Sequence, residues 1–135
     1  MHTTPDQYQD IRDAVRDLCA QFPDEYHRKV DEKRAYPEAF VDALTKAGWM
    51  AALIPQEYGG SGLSMAEASV IMEEINRSGG NSGACHGQMY VMNAIVRSGS
   101  QAQKDKFLPK IATGELRIQS TVSYTHLTLP TTSRV

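Results

Sequence analysis

In several places a short hydroxyl residue stands three positions ahead of a Glu or Gln, among them Thr4 and Gln7, Ser64 and Glu67, and Ser100 and Gln103. At that spacing the hydroxyl accepts from a backbone N–H of the first turn while the longer side chain reaches back to the cap's own N–H. Each pair therefore predicts a helix start. Pro5 strengthens the first by occupying the first helical position, where a missing N–H costs nothing. Stops are as regular, at Pro23, Gly48, Gly79-Gly80, Gly99 and Gly114. A chain punctuated this way has little room for anything but helices.

Apolar spacing fills in the segments. Tyr8, Ile11, Val15, Leu18 and Phe22 recur three or four apart and predict one buried stripe, with Asp10, Arg12, Asp13, Arg16 and Asp17 on a solvated opposite side. Residues 24–33 form a charged, peripheral second helix with only Tyr26 and Val30 to bury. Pro37 opens a third, burying Phe40, Val41, Leu44 and Ala47 and ended by a left-handed Gly48. The run from Trp49 to Ile54 is apolar without a clear period, and Pro55, Gly59, Gly60 and Gly62 make the next stretch a loop. Ser64 opens a helix with Ala68, Ile71, Met72 and Ile75 inward and Glu73, Glu74 and Arg77 outward. The central helix runs from about Asn81 to Arg97, and the last from Ser100 through Leu108, limited by Pro109 and Gly114. The expected fold class is all-α, with six helices, no convincing strand before Gly114 and no repeats.

Composition removes several functions. A net charge of -2 with mixed signs offers no basic face to nucleic acid. The longest apolar run, Trp49 to Ile54, is far too short to span a bilayer, and Asp6, Asp10 and Asp13 stand where a signal peptide would be basic and then apolar. Cys19 and Cys85 fit neither a disulfide framework nor a zinc ribbon. They read as reduced thiols of a cytoplasmic protein, with a structural disulfide as the alternative.

Chemistry-bearing motifs are sparse. The loop Gly59-Gly60-Ser61-Gly62 has Met65 where a dinucleotide fingerprint needs its third glycine, so a tight turn is the better reading. Neither Ser61 nor Ser82 has the flanking glycines of a nucleophile elbow. Adjacent Cys85 and His86 diverge on a helix, and no metal is expected. No residue presents itself as a general acid or base, so no catalytic residue is assigned to this chain. The candidate binding surface is the stretch Ser78 to Gly99, where Ser82, Gly83, His86 and Tyr90 share one side of the central helix. The alternative is that this side packs on a neighbouring helix, with His86 bonding a backbone carbonyl.

The segment IPQEYGGSGLSMAEASVIMEEINRSGG, followed by SGSQAQKDKFLPKIATGE, resembles the N-terminal helical domain of the flavin-dependent acyl-CoA dehydrogenases over roughly residues 5 to 120. The resemblance implies a parent protein with two further domains, a β-domain and a C-terminal helical bundle, holding FAD between them and across a subunit interface of a homo-oligomer. It implies α,β-dehydrogenation of an acyl-CoA thioester, a carboxylate base taking the α-proton and flavin the β-hydride. Electrons then pass to an electron-transferring flavoprotein or similar acceptor. It also places Ser82, Gly83, His86 and Tyr90 toward the acyl tail, where a bulky Tyr90 and polar neighbours suit a short or substituted chain.

After LRIQS the resemblance ends. Residues 116–120 could begin a strand and the tail alternates well enough to pass as one, with Val122 and Tyr124 on one side, yet TVSYTHLTLPTTSRV replaces the segment the family would continue with. That string resembles the read-through translation of a sequencing adapter, so residues 121–135 are expected to be a non-native, disordered tail on a domain of residues 1–120. The chain alone is expected to be inactive, to retain no FAD and to associate through its exposed domain face. The alternatives are a self-contained helical interaction module, or a piece of a related acyl-CoA oxidase.

Overall fold

The computed structural model describes residues 6–118, and the expected tail lies outside them. Six helices account for most of that length: α1 (Gln9–Cys19), α2 (Asp24–Glu32), α3 (Glu38–Lys46), α4 (Met65–Arg77), α5 (Ser82–Ser98) and α6 (Gln101–Thr113). Among the described residues there is no strand, so the all-α expectation stands. Leu116 to Ile118 are irregular, with Leu116 and Ile118 packed against the core instead of beginning a strand.

The apolar run without a period turns out to be the hub. Trp49–Ala51 form one 3-10 turn that touches α3, α5 and α6. Met50, Ala51, Ala52 and Ile54 are all buried around it, because a segment contacted on several sides has no solvent face to generate a period. Val15 of α1, Phe40 and Leu44 of α3, Ile71 and Ile75 of α4, Met92 of α5 and Leu108 and Ile111 of α6 close on this hub. Phe40 meets Phe22 edge-on at 5.3 Å between centroids, a favoured geometry for buried rings. Ala47, expected inside with them, is exposed at the end of α3, one turn beyond the last buried position.

Caps follow the sequence unevenly. Ser100 and Gln103 form the complete reciprocal box, Gln103 N–H to Ser100 Oγ at 3.2 Å and Ser100 N–H to Gln103 Oε1 at 2.9 Å. Ser64 accepts from Glu67 N–H at 3.2 Å, but its hydroxyl donates to the Glu67 carboxylate at 3.0 Å, so the return bond goes to the side chain. The start expected at Thr4 and Pro5 lies outside the described residues, and Gln7 precedes the first helix. Asp6 takes over there, accepting from Tyr8 N–H at 2.9 Å and pairing with Arg12, and α1 begins only at Gln9. We expect Ser100→Ala to lower stability by about 1 kcal/mol in thermal unfolding, since both halves of the box go at once.

Two further expectations fail for a shared reason, that a neighbour changes what the local rule predicts. Pro109 does not end α6, which runs on to Thr113 before Gly114 stops it. Proline removes one backbone bond and crowds the preceding turn, but Pro109 is on the exposed side, where the freed carbonyl is open to solvent, while Leu108 and Ile111 anchor the helix inward. Glu74 and Arg12, both expected in solvent, meet instead between α1 and α4, joined there by Arg16, which stays exposed as expected. Glu74 is 1% exposed and accepts from Arg16 Nη2 at 3.0 Å, Arg16 Nε at 3.2 Å and Arg12 Nη1 at 3.3 Å.

Candidate functional site

Residues 65, 68, 69, 72, 73 and 76 recur at helical spacing along one side of α4, and residues 86, 89, 90 and 93 do the same on α5. Between them lies a groove of about 410 Å³. Leu53, Met65, Ala68, Met72 and Met89 give it apolar walls, and Ser69, Glu73, Asn76, His86 and Asn93 supply polar groups. Glu73 is not free to serve there as a bare charge, because Arg12 Nη1 lies 3.2 Å from its carboxylate.

Of the four residues singled out in the sequence, His86 and Tyr90 line this groove, their rings 5.1 Å apart and tilted by 49°. Tyr90 is 44% exposed, so its ring stands at the open side of the groove. Ser82 and Gly83 do not line it: they are the first two residues of α5, where Asn81 Oδ1 caps the helix by accepting from Gly83 N–H at 3.0 Å. The structure thus divides the proposed face into two groove residues and two helix-start residues. It adds Met89 and Asn93, which continue the His86 stripe by three and seven positions.

A second cleft, of about 390 Å³, opens on another side of α5 and is lined by Tyr36, Glu38, Ala84, Gln88, Arg117 and Ile118. Gln88 was missed in the sequence because a glutamine ordinarily reads as exposed. Here it is 2% exposed and donates Nε2–H to the Met50 carbonyl at 3.3 Å. Its signal was phase, since it lies three residues after buried Cys85 and four before buried Met92. Arg117 closes one end of the cleft, held by Glu38 at 3.1 Å and by Asp42, with its guanidinium 5.4 Å from the centre of the Tyr36 ring.

Nucleophilic or phosphate chemistry finds no support in the geometry. Burial pushes the Cys85 thiol up to about 12, and it raises the Cys19 thiol as well, so both are protonated at neutral pH. Both are free, not bridged. The glycine loop spends its N–H groups on backbone carbonyls: Gly60 to Pro55 at 3.2 Å, Ser61 to Ala51 at 3.1 Å and Gly62 to Ile54 at 2.9 Å. A phosphate would find those donors occupied. Among the described residues no group of three His, Cys, Asp or Glu side chains is placed to hold a metal, and no helix is long and apolar enough to cross a membrane.

Comparison with known proteins agrees with this architecture. Residues 5–115 match the family described as acyl-CoA dehydrogenase, N-terminal domain. Mitochondrial isovaleryl-CoA dehydrogenase of Pongo abelii is 41% identical over 78 residues, 56% of this chain and 18% of that protein. The same enzyme of Bos taurus is 34% identical over 109 residues, 75% of this chain and 26% of that one. Mitochondrial short-chain specific acyl-CoA dehydrogenase of Sus scrofa is 28% identical over 113 residues, 82% and 27%. The chain thus spans about a quarter or less of the length of these relatives. A solved structure described as an electron transferring flavoprotein of Acidaminococcus fermentans superposes with a TM-score of 0.69 at 24% identity, covering 84% of this chain and 31% of that one, which shows the fold alone. On the match over residues 5–115, the chain belongs to the acyl-CoA dehydrogenase N-terminal domain family.

Proposed function

We propose that this chain is the substrate-side helical domain of an FAD-dependent acyl-CoA dehydrogenase, and that it contributes a wall for the acyl group and none of the groups that react. The carrying observation is the groove between α4 and α5, apolar along Met65, Met72 and Met89 and crossed by His86 and Tyr90. Each acyl methylene it removes from water contributes about 0.8 kcal/mol. The groove offers an uncharged tail no partner for a charge, because Glu73 is already engaged by Arg12. The bulk of Tyr90 in the lining favours a short or branched tail over a long straight one.

The described residues do not fit a flavin dinucleotide by themselves. A pyrophosphate needs cations or free N–H groups beside an apolar wall. The groove lining contains no Lys or Arg, and Arg117 at the second cleft is engaged by Glu38 and Asp42. Dehydrogenation, the base, the flavin, the acceptor flavoprotein and the homo-oligomer therefore belong, in this reading, to a larger protein. A cytoplasmic location is retained as a proposal, although the isovaleryl-CoA and short-chain relatives named above are mitochondrial.

A second placement of the acyl group is favoured by one observation. Gln88 is a buried polar side chain beside a cleft bounded by Ile118, the last of the described residues. Methyl-labelled methionine and isoleucine separate the two. On titrating the chain with isovaleryl-CoA and octanoyl-CoA, the Met72 and Met89 methyl resonances are expected to shift while core Met50 and Met92 stay fixed. Tyr90→Ala is expected to move the preference toward the longer thioester. Shifts confined to Ile118 and the Gln88 side-chain amide would transfer the site to the second cleft. No shift at either place would remove the acyl-wall reading altogether.

A further inference from the structure

Five methionines lie among the described residues, and three of them, Met65, Met72 and Met89, line the groove between α4 and α5. The other two, Met50 and Met92, are sealed in the core. Exposure of the three is graded, with Met65 54% exposed, Met72 partly buried and Met89 nearly covered at 4%. Met65 and Met72 are seven residues apart and so share one face of α4. Access of a peroxide to a thioether sulfur sets its rate of oxidation, so this grading is also an order of reactivity.

We propose that the groove is an oxidant-gated surface, in which hydrogen peroxide converts Met65 and then Met72 to the sulfoxide and the oxidised groove no longer takes an apolar chain. In each step a sulfur lone pair attacks one peroxide oxygen, and the S–O bond forms as the O–O bond breaks. The departing hydroxide takes the proton from the transferred oxygen and leaves as water. Sulfur is oxidised by two electrons and peroxide reduced by two. The new oxygen is a strong hydrogen-bond acceptor in a groove whose apolar wall of Leu53, Ala68 and Met89 cannot solvate it, so it draws water or the polar ends of Ser69, Asn76 and Asn93 onto the surface an apolar ligand would cover. That the excluded ligand is an acyl chain rests on the function proposed above, whereas the order of oxidation and the wetting of the groove do not.

The test uses the whole chain, a graded peroxide treatment and peptide mass spectrometry, with Met89 methyl resonance as the binding readout. Two probes are used, octanoyl-CoA and the apolar dye anilinonaphthalene sulfonate. Sulfoxide is expected first at Met65 and next at Met72. At that stage the probe-induced Met89 shift is lost while Met50 and Met92 keep their native resonances. A Met65→Leu/Met72→Leu variant cannot be oxidised at those positions, so the shift it shows before treatment, whatever its size, is expected to be unchanged after it. Oxidation of Met50 or Met92 as fast as Met65 would overturn the proposal, as would a probe shift that survives sulfoxide at both Met65 and Met72. If untreated chain shifts with the dye but not with octanoyl-CoA, the acyl reading fails by itself. The gate then stands on loss of the dye shift in the wild-type chain and its survival in the leucine variant, and falls if both behave alike.

Discussion

Gly60→Ala is expected to destabilise the chain by about 3 kcal/mol or more, with a fall in melting temperature on the order of 10 °C. A Cβ at position 60 would stand 2.0 Å from the Ile54 carbonyl oxygen, 2.4 Å from Ile54 Cβ and 2.5 Å from Ile54 C. Two of those atoms are backbone, so no rotamer change relieves the contact. The same turn carries the bonds from Gly62 N–H to Ile54 and from Leu63 N–H to Ala52, at 2.9 and 2.7 Å. Moving Ile54 away breaks these bonds and displaces a core side chain that is fully buried. Differential scanning calorimetry of the purified variant decides the matter, and a loss below about 1 kcal/mol would show that the turn yields more easily than its contacts imply.

Glu74→Ala is expected to cost a comparable amount, roughly 3 kcal/mol, for a different reason. Three guanidinium hydrogen bonds converge on a carboxylate that is almost wholly buried, and alanine removes them all while opening space between α1 and α4. The effect should be conformational as well as energetic. Amide exchange in α1 is expected to rise more than exchange in α6, because Val15 and Cys19 remain as the buried anchors of that helix. Equal loss of protection in both helices would show global weakening in place of a released α1.

The same residue sets an acid limit. The Arg16 hydrogen bonds hold the Glu74 carboxyl below the usual carboxylate range, against the opposing effect of burial, with Arg12 adding to the lowering. A depressed folded-state pKa contributes stability that is fully present above the unfolded-state value, near 4.5, and is lost as pH falls through the lower folded value. Between pH 6 and pH 3 the chain should therefore lose more stability than Glu74→Gln, which has no carboxylate to protonate. Parallel curves for the two would remove Glu74 from the acid response.

These features converge on α4. Glu74 ties its inner side to α1, and the neighbouring Glu73 lines the groove while bonding Arg12, which also reaches Glu74. One arginine of α1 thus touches both the buried clamp and a residue of the groove wall. Loosening α1 is accordingly expected to disturb the groove wall even though α1 contributes no residue to it.

Much of this was legible in the residue order. Ser64 and Ser100 cap helices in the structure, Gly48 is left-handed at φ 89°, and Phe40, Leu44, Ile71 and Ile75 are buried as their spacing required. Helix starts, stops and stripes are local matters, fixed by hydrogen bonds and side chains within about one turn, so a linear reading reaches them.

Tertiary structure alone decided what crosses between helices. Glu74 and Arg16 are 58 residues apart, and nothing in either helix announces that two charged faces will close on each other instead of on water. Gln88 became a buried cleft residue because Met50, 38 positions away, offers it a carbonyl. The groove arose where α4 and α5 leave a gap, so His86 and Tyr90 gained Met65 and Met72 as partners while Ser82 and Gly83, on the same helix, remained part of its cap. Sequence determined which surfaces could be buried or bind. The packing of one helix on another determined which of them were buried and which line a groove, because desolvation and pairing energies depend on neighbours that only the folded chain brings within reach.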